Sequence, residues 1–174
     1  MRAIPPRVAA FVVAVLSLLA CAAPVAAQSS VRRVIDGDTI ELADGRLVRY
    51  IGIDAPEVRR KHGGRWVKDP EQFGLDATEC NRRLVEGKAV RLELDVQTHD
   101  RFGRLLAYVY VSTEHAGEVM VNAELLRQGM AQLLTIPPNV RHAERFRALA
   151  EEARQAQRGL WENTETQRRH RGTE

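Results

Sequence analysis

The chain is poor in cysteine, in aromatic residues and in net charge, and the cysteine count and the net charge each argue against a class of protein. Its 174 residues include two cysteines, Cys21 and Cys80, so no disulfide framework is implied. Aromatic residues make up 5%, and 26 basic against 23 acidic side chains give a net charge of +3, which does not predict a polyanion partner from bulk charge. With 44% hydrophobic residues, the length instead predicts one globular domain with its own core.

The long apolar run of the chain lies at its amino end. Arg2 and Arg7 precede an apolar stretch from Val8 to Ala20, and Val25-Ala26-Ala27 offers the small residues that a signal peptidase recognises. The stretch is short for a membrane span. Residues 1–27 are therefore predicted to be a signal peptide, and the mature protein to be exported, either secreted or periplasmic.

An alternative for the same segment is a lipid anchor. Leu18-Leu19-Ala20-Cys21 resembles a bacterial lipobox, in which Cys21 would be acylated and would hold the protein at a membrane. In either case Cys80 has no intramolecular partner, and its place in a helical pattern predicts a small buried side chain.

Alternating apolar and polar residues predict five strands. The alternation runs from Val31 to Ile53 with a turn at residues 43–46, and it returns at Val90–Val96 and at Arg104–Val111. Residues 54–74 lack such a period and are predicted to form a long polar loop. Past Trp161, residues 162–174 are polar and are predicted to be disordered.

Helical spacing predicts three helices. They are expected at Leu75–Glu86, where Gly87 ends the helix, at Val119–Gln128 and at Arg141–Gly159. Five strands with one inserted helix and two trailing helices indicate an α+β fold, a small closed β-barrel capped by helices.

Charged residues interrupt the apolar rows at one end of this predicted barrel. Asp38 begins the row that Ile40 continues, and Arg49 is predicted to share a face with Leu47, Ile51 and Ile53. A buried carboxylate or guanidinium needs a partner of opposite charge, because desolvation of a lone charge is costly. The sequence therefore predicts that these charges meet.

A stiff bend adds two further carboxylates. In Asp54-Ala55-Pro56-Glu57, Pro56 fixes its own dihedral angle and restricts Ala55 to extended conformations. Carboxylates clustered in this way need a cation, and oxygen ligands without a His or Cys cluster favour Ca²⁺ or Mg²⁺ over zinc. Arg104, beyond the turn Asp100-Arg101-Phe102-Gly103, can place a second guanidinium nearby. Such a pairing suits phosphodiester cleavage.

Three segments resemble the signatures of the staphylococcal nuclease (thermonuclease) family in order and in spacing. They are Ile35-Asp36-Gly37-Asp38-Thr39, Arg49-Tyr50-Ile51-Gly52-Ile53-Asp54-Ala55-Pro56-Glu57 and Asp100-Arg101-Phe102-Gly103-Arg104. Further similarity at residues 122–129 and 159–161 extends the resemblance over about residues 31–161. It implies a nuclease domain over residues 28–161 with an OB-fold barrel and three helices, which uses Ca²⁺ and cleaves DNA and RNA to products ending in 3′-phosphate.

The resemblance also implies the metal ligands. Asp38 and Asp54 match the direct calcium ligands, and the backbone carbonyl of Ala55 matches the third. Two carboxylates, a carbonyl and water satisfy Mg²⁺ as well as Ca²⁺, so the ion stays open.

Catalytic roles follow from the same match. Glu57 resembles the residue that positions or deprotonates the attacking water. Arg49 and Arg104 resemble the pair that grips the scissile phosphate and stabilises the pentacoordinate transition state. Arg101 and Phe102 stand where the family contacts the nucleotide.

The implied partners are DNA and RNA, with single-stranded or locally unpaired segments favoured. No stable protein partner is implied, and a monomer is expected. The basic loop at residues 58–68 can supply phosphate contacts and a stacking ring, or it can be a solvated loop without a partner. The alternative function is a catalytically silent OB-fold module that binds single-stranded nucleic acid or protein.

Overall fold

The computed structural model describes residues 28–63, 65–69, 71–113 and 117–162, with the backbone alone at 59–62, 65, 66 and 68. The predicted signal peptide, the lipobox alternative and almost all of the predicted polar tail lie outside the described residues. The elements in chain order are β1 (Gln28–Val34), β2 (Thr39–Leu42), β3 (Leu47–Tyr50), β4 (Ile53–Asp54), β5 (Arg59–His62), β6 (Arg65–Lys68), α1 (Gly74–Val85), β7 (Ala89–Glu93), β8 (Leu105–Thr113), β9 (Gly117–Met120), α2 (Val121–Arg127), β10 (Gln132–Leu133) and α3 (Ala143–Gln155).

Five of these strands close into a barrel. They lie in the order β3-β2-β1-β7-β8 with antiparallel neighbours, and a parallel pairing of β3 with β8 closes the ring, with Val48 opposite Leu105 and Tyr50 opposite Ala107. Closure leaves these strands without a free edge, and β9 extends only the outer end of β8. The predicted α+β fold, a five-stranded barrel with three helices, is confirmed.

The core lies inside the barrel and beneath α2 and α3. Its largest fully buried side chains are Tyr50, Tyr108 and Phe146, and the rings of Tyr108 and Phe146 meet edge to face with centroids 5.9 Å apart. Asn122 of α2 accepts the N–H of Val109 at 2.9 Å and donates to the carbonyl of Ile51 at 2.9 Å. This buried amide ties α2 to the barrel directly behind the end of β3.

The three predicted helices are present, and their ends differ from the prediction by different amounts. Helix α1 lies within one residue of the prediction at both ends. Helix α2 begins at Val121 and not at Val119, because Val119 and Met120 pair with β8 as part of a hairpin. The helix predicted at Arg141–Gly159 is shorter as α3, and a 3₁₀ turn at Gly159–Trp161 follows it.

The prediction of one long loop at residues 54–74 is wrong. Backbone pairing of Arg59 with Lys68 and of Lys61 with Trp66 makes β5 and β6 a two-stranded hairpin.

Cys80 is buried and forms no disulfide, and its thiol lies 3.2 Å from Oε1 of Gln128. Within the ranges that the structure describes, the helices are all too short or too polar to cross a bilayer.

Candidate active site

The turn between β1 and β2 carries the first predicted ligand. A Cβ at Gly37 would lie 2.5 Å from Cβ of Ala55 and 2.9 Å from Cβ of Ala77, so only glycine allows this close approach. The approach lets the N–H of Ala55 donate to Oδ2 of Asp38 at 2.6 Å. Asp38 is 1% exposed, and its other oxygen accepts the Thr39 hydroxyl at 3.1 Å. The predicted metal-binding bend and Asp38 are thus in direct contact.

Arg49 joins the two predicted metal-binding carboxylates. Its guanidinium forms an ion pair with Oδ1 of Asp38 and donates to Oδ1 of Asp54 at 2.5 Å. The Arg49 side chain is 14% exposed and that of Asp54 is 56% exposed. The cluster therefore has a buried side at Asp38 and a solvent side at Asp54, with one cation between them.

Arg49 does not share a face with all the residues predicted. In β3 the core side is formed by Val48 and Tyr50, and Arg49 lies on the opposite side. The chain then turns at residues 51–52, which interrupts the alternation and buries both Ile51 and Ile53. The opposing charges were nevertheless expected at this place, and they are present.

Glu57 is held through its backbone. Its N–H donates to Oε2 of Glu71 at 3.3 Å, and the N–H of Glu71 donates to its carbonyl at 2.8 Å. A Cβ at Gly74 would lie 2.7 Å from that carbonyl, so the start of α1 presses closely on the bend. Partial burial, together with the negative charge of Asp36, raises the pKa of Glu57 above its usual range, against the lowering effect of Arg49.

Arg104 leaves the turn before β8 in a fixed orientation. Asp100 accepts the N–H groups of Phe102 at 2.8 Å and of Arg104 at 3.0 Å, and its Oδ2 lies 2.7 Å from Nε of Arg104. One carboxylate thus shapes the turn and orients the guanidinium. Burial alone would raise the pKa of Asp100, but these hydrogen bonds outweigh it and lower that pKa.

A cleft of about 420 Å³ opens beside the cluster. Arg49, Arg101, Phe102 and Arg104 all line it, and Phe102 is 70% exposed. The guanidinium carbon of Arg101 lies 4.7 Å from the centroid of the Phe102 ring. The cleft thus combines guanidinium groups with an accessible aromatic ring, which suits an anionic ligand with a planar group.

The structure brings the predicted residues together to different degrees. Asp38 and Asp54 form ion pairs with Arg49, which lines the cleft, and the N–H of Ala55 donates to Asp38. Glu57 does not line the cleft, and its link to the cluster is the electrostatic influence of its charged neighbours on its pKa.

The donors present are chemically suited to a hard divalent cation. Asp38 and Asp54 come from different elements and converge on one positive charge, which here is the guanidinium of Arg49. The candidate ligands, including the Ala55 carbonyl, are all oxygen atoms. Among the described residues no three His, Cys, Asp or Glu side chains form a metal-binding group, so carbonyl and water oxygens would have to complete the coordination shell.

Three residues that support the site have no role in the prediction from sequence. Asp36 accepts the N–H of Asp38 at 3.1 Å, and burial raises its pKa although Arg49 opposes the shift. Asn81 accepts the Tyr50 hydroxyl at 2.9 Å and donates to the carbonyl of Asp36 at 3.0 Å, which ties α1 to β3 and to the turn. Glu71 is the third. Of these three residues only Asp36 was marked by a sequence signal, since it is an acid two positions before the predicted ligand Asp38.

The chain is similar in sequence to proteins of a known family. Residues 47–163 match the model of the staphylococcal nuclease homologues. Most of the barrel, the predicted second ligand and both predicted phosphate-binding arginines fall within that match. The chain belongs to the staphylococcal nuclease family.

Individual relatives are similar over most of the chain. The thermonuclease of Staphylococcus hyicus is 34% identical over 134 residues, which cover 75% of this chain and 73% of that protein. The thermonuclease of Staphylococcus intermedius is 34% identical over 135 residues, 76% of this chain and 74% of that protein. Endonuclease YncB of Bacillus subtilis is also 34% identical over 134 residues, 74% of this chain and 59% of that longer protein.

Proposed function

We propose that the protein is a Ca²⁺-dependent phosphodiesterase that hydrolyses DNA and RNA with little sequence specificity and leaves 3′-phosphate ends. The observation that carries the proposal is Arg49, held between Asp38 and Asp54 at the wall of a cleft that Arg104 also lines. The thermonuclease and endonuclease names of the relatives support the same reaction class.

The two arginines recognise the scissile phosphate in this proposal. Guanidinium groups donate paired hydrogen bonds to phosphate oxygens, and their benefit is greatest where negative charge accumulates in the transition state. Asp38, Asp54 and Asp100 hold both arginines before substrate arrives. The charges are thus preorganised, which reduces the reorganisation needed during the reaction.

Glu57 accepts the proton of the attacking water. The water oxygen forms a bond to phosphorus and the bond to the 5′ oxygen breaks. The 5′ oxygen takes a proton from solvent, so the products are a 3′-phosphate and a 5′-hydroxyl. A raised pKa brings Glu57 closer to the pH of operation and makes it a better base. Arg104, which also lines the cleft, would stabilise the negative charge that develops on the leaving oxygen.

Asp38, Asp54 and the carbonyl of Ala55 would hold the divalent cation. When bound, such an ion polarises the phosphate and lowers the pKa of a coordinated water. Arg101 and Phe102 line the cleft where a sugar and base would follow the phosphate. We further propose that the protein acts as a monomer after export to the periplasm or the exterior, with acylation at Cys21 as the alternative.

The deciding experiment is hydrolysis of single-stranded DNA and RNA by the purified protein in Ca²⁺, in Mg²⁺ and in excess chelator, with the product ends identified. Calcium-dependent release of 3′-phosphate ends is the expected result. Absence of cleavage in every ion by a folded protein would support the catalytically silent binding module instead. Release of 5′-phosphate ends would contradict the proposed direction of bond breaking.

A further inference from the structure

Positive charge in the described region is concentrated in one hairpin. Residues 28–162 contain 21 basic and 21 acidic side chains. Five of the basic side chains and none of the acidic ones belong to residues 59–68, so the rest of this region has a formal net charge of −5. Away from the hairpin the domain would repel a polyanion on average, and the ten residues 59–68 offset that repulsion.

The hairpin starts beside the proposed general base. Strand β5 begins two residues after Glu57, and the N–H of Asp69 closes the base of the hairpin on the carbonyl of Val58 at 3.2 Å. Past that point, the N–H of Glu71 bonds the carbonyl of Glu57. A ligand held at the base of the hairpin would therefore lie next to Glu57.

The register distributes the basic residues over the two faces of the ribbon. Pairing of Arg59 with Lys68 and of Lys61 with Trp66 places these residues on one face, three of them basic and one aromatic. Four residues per strand span about 13 Å, roughly the length of two nucleotides of an extended single strand. A row of cations beside an aromatic residue is the pattern that single strands bind without sequence preference.

We propose that the β5–β6 hairpin is a binding arm for the sugar-phosphate backbone of single-stranded nucleic acid beside the cleaved bond. This inference rests on the proposed function, since it assigns the partner and the path of that substrate. The arm compensates for the net negative charge of the remaining domain and selects long strands over fragments that fill only the cleft.

Binding without catalysis gives the first test. The triple variant R59Q/K61Q/K68Q and the control R32Q/R83Q/R145Q remove the same charge, the control from exposed positions on other elements. Anisotropy of a fluorescent oligothymidylate of about 30 nucleotides is measured in chelator over a salt series. We expect the hairpin variant to bind about 10- to 100-fold more weakly at low salt, with the slope of log Kd against log salt reduced by about 2. The control should stay within about twofold.

Cleavage separates the arm from the site. On the long strand kcat/KM of the hairpin variant should fall at least about tenfold, and on a dinucleotide it should stay within about twofold. Equal losses on both substrates would mean that the hairpin only supports Glu57, and no loss on either would also overturn the proposal. A wild-type protein that binds through the hairpin and cleaves neither substrate would refute the proposed function but would still support the role of the hairpin in binding. Loss of binding to anionic phospholipid vesicles with unchanged oligomer binding would assign the hairpin to a membrane instead.

Discussion

Two clusters, each made of acidic and basic side chains, lie on the same barrel, and they differ in how the cost of burying their carboxylates is offset. The acid–arginine cluster consists of Asp36, Asp38, Arg49, Asp54 and Glu57. The helix-docking cluster consists of Glu93, Asp95, Arg141 and His142, and it holds the start of α3 against the end of β7. Both contain carboxylates beside arginine, yet the pKa values of Glu93 and Asp95 are lowered and those of Asp36 and Glu57 are raised.

In the helix-docking cluster each carboxylate has several donors. Glu93 accepts Arg141 at 3.0 Å and the Tyr110 hydroxyl at 2.9 Å, and lies 3.0 Å from the ring of His142. Burial alone would raise the pKa of Glu93, but these hydrogen bonds together outweigh it and lower the pKa to about 2. In the acid–arginine cluster burial raises the pKa of Asp36, and burial together with neighbouring negative charge raises that of Glu57.

This contrast distinguishes a structural charge cluster from a functional one. Where hydrogen-bond donors outweigh the cost of burial and lower the pKa, as at Glu93, the charges stabilise the fold. Where two carboxylates share one arginine beside further acids, the site retains an unmet demand for positive charge. That demand is what a divalent cation would meet.

Replacing Glu57 with Gln should produce the largest effect, and it should be confined to activity. Loss of a general base lowers kcat by about 10²- to 10⁴-fold, because Gln cannot accept the proton of the attacking water. The side chain is only partly buried and lies at the surface, so Tm should stay within about 2 °C. The measurements are steady-state cleavage of single-stranded DNA and thermal unfolding, with E144Q on α3 as the matched control.

Near-normal turnover in E57Q would remove the proposed role of the acid–arginine cluster. A parallel loss of activity in E144Q would instead point to a general effect of charge.

Replacing Arg49 with Met should damage stability as well as activity. Asp38 would lose its cation while 1% exposed, and breaking a buried ion pair from one side costs about 3–5 kcal/mol. The free energy of unfolding is measured in urea, first in chelator and then with added Ca²⁺. Because Asp38 and Asp54 would then share a new cation, we expect Ca²⁺ to restore part of the loss.

The exposed pair of Arg46 with Asp44 supplies the control, since such pairs contribute little. R46M should change the free energy of unfolding by less than about 1 kcal/mol. An equally small effect of R49M would show that Asp38 needs no cation at all.

Much of the fold could be predicted from the sequence because its signals are local. Alternation in β1 to β3 and helical spacing in α1 follow from neighbouring residues, and the predicted bounds come within a few residues. The β5–β6 hairpin was missed because its residues are almost all polar and show no apolar alternation. The turn signal Gly63-Gly64 was nevertheless present in the sequence.

The site was predictable where single residues break a pattern, and it was not where the chain meets itself at a distance. Asp38, Arg49 and Asp54 stand out as charges at the ends of apolar rows, and the structure joins them. The contact of Glu57 with Glu71 joins positions 14 apart across the hairpin, and no local pattern announces it. The face of Arg49 was mispredicted because the turn at residues 51–52 shifts the alternation.

Replacing Glu93 with Gln should weaken the fold and leave the chemistry intact. Since the pKa of Glu93 is held at about 2, below its ordinary value of 4.5, its stabilisation is present above about pH 4.5 and is lost as pH falls towards 2. With solvent screening of this partly exposed group, we expect a loss of about 1–2 kcal/mol at neutral pH. Urea unfolding at pH 7 and at about pH 3 checks this, because the difference in stability between wild type and variant should become smaller in acid. A loss of cleavage activity beyond that of unfolding would contradict the division into two clusters.

Replacing Tyr110 with Phe should give the smallest effect and tests whether the number of donors is what matters. The change removes one hydroxyl from Oε2 of Glu93 and leaves the donors on Oε1, Arg141 and His142, in place. A single hydrogen bond to a partly exposed charge contributes about 1 kcal/mol, so Tm should fall by a few degrees. The double variant E93Q/Y110F should lose less than the sum of the two single losses, because the hydroxyl stabilises the fold largely through the carboxylate. Strict additivity would mean that the hydroxyl stabilises the barrel independently of Glu93, and no loss in Y110F would leave only ring contacts such as that with the guanidinium of Arg91 at 3.9 Å.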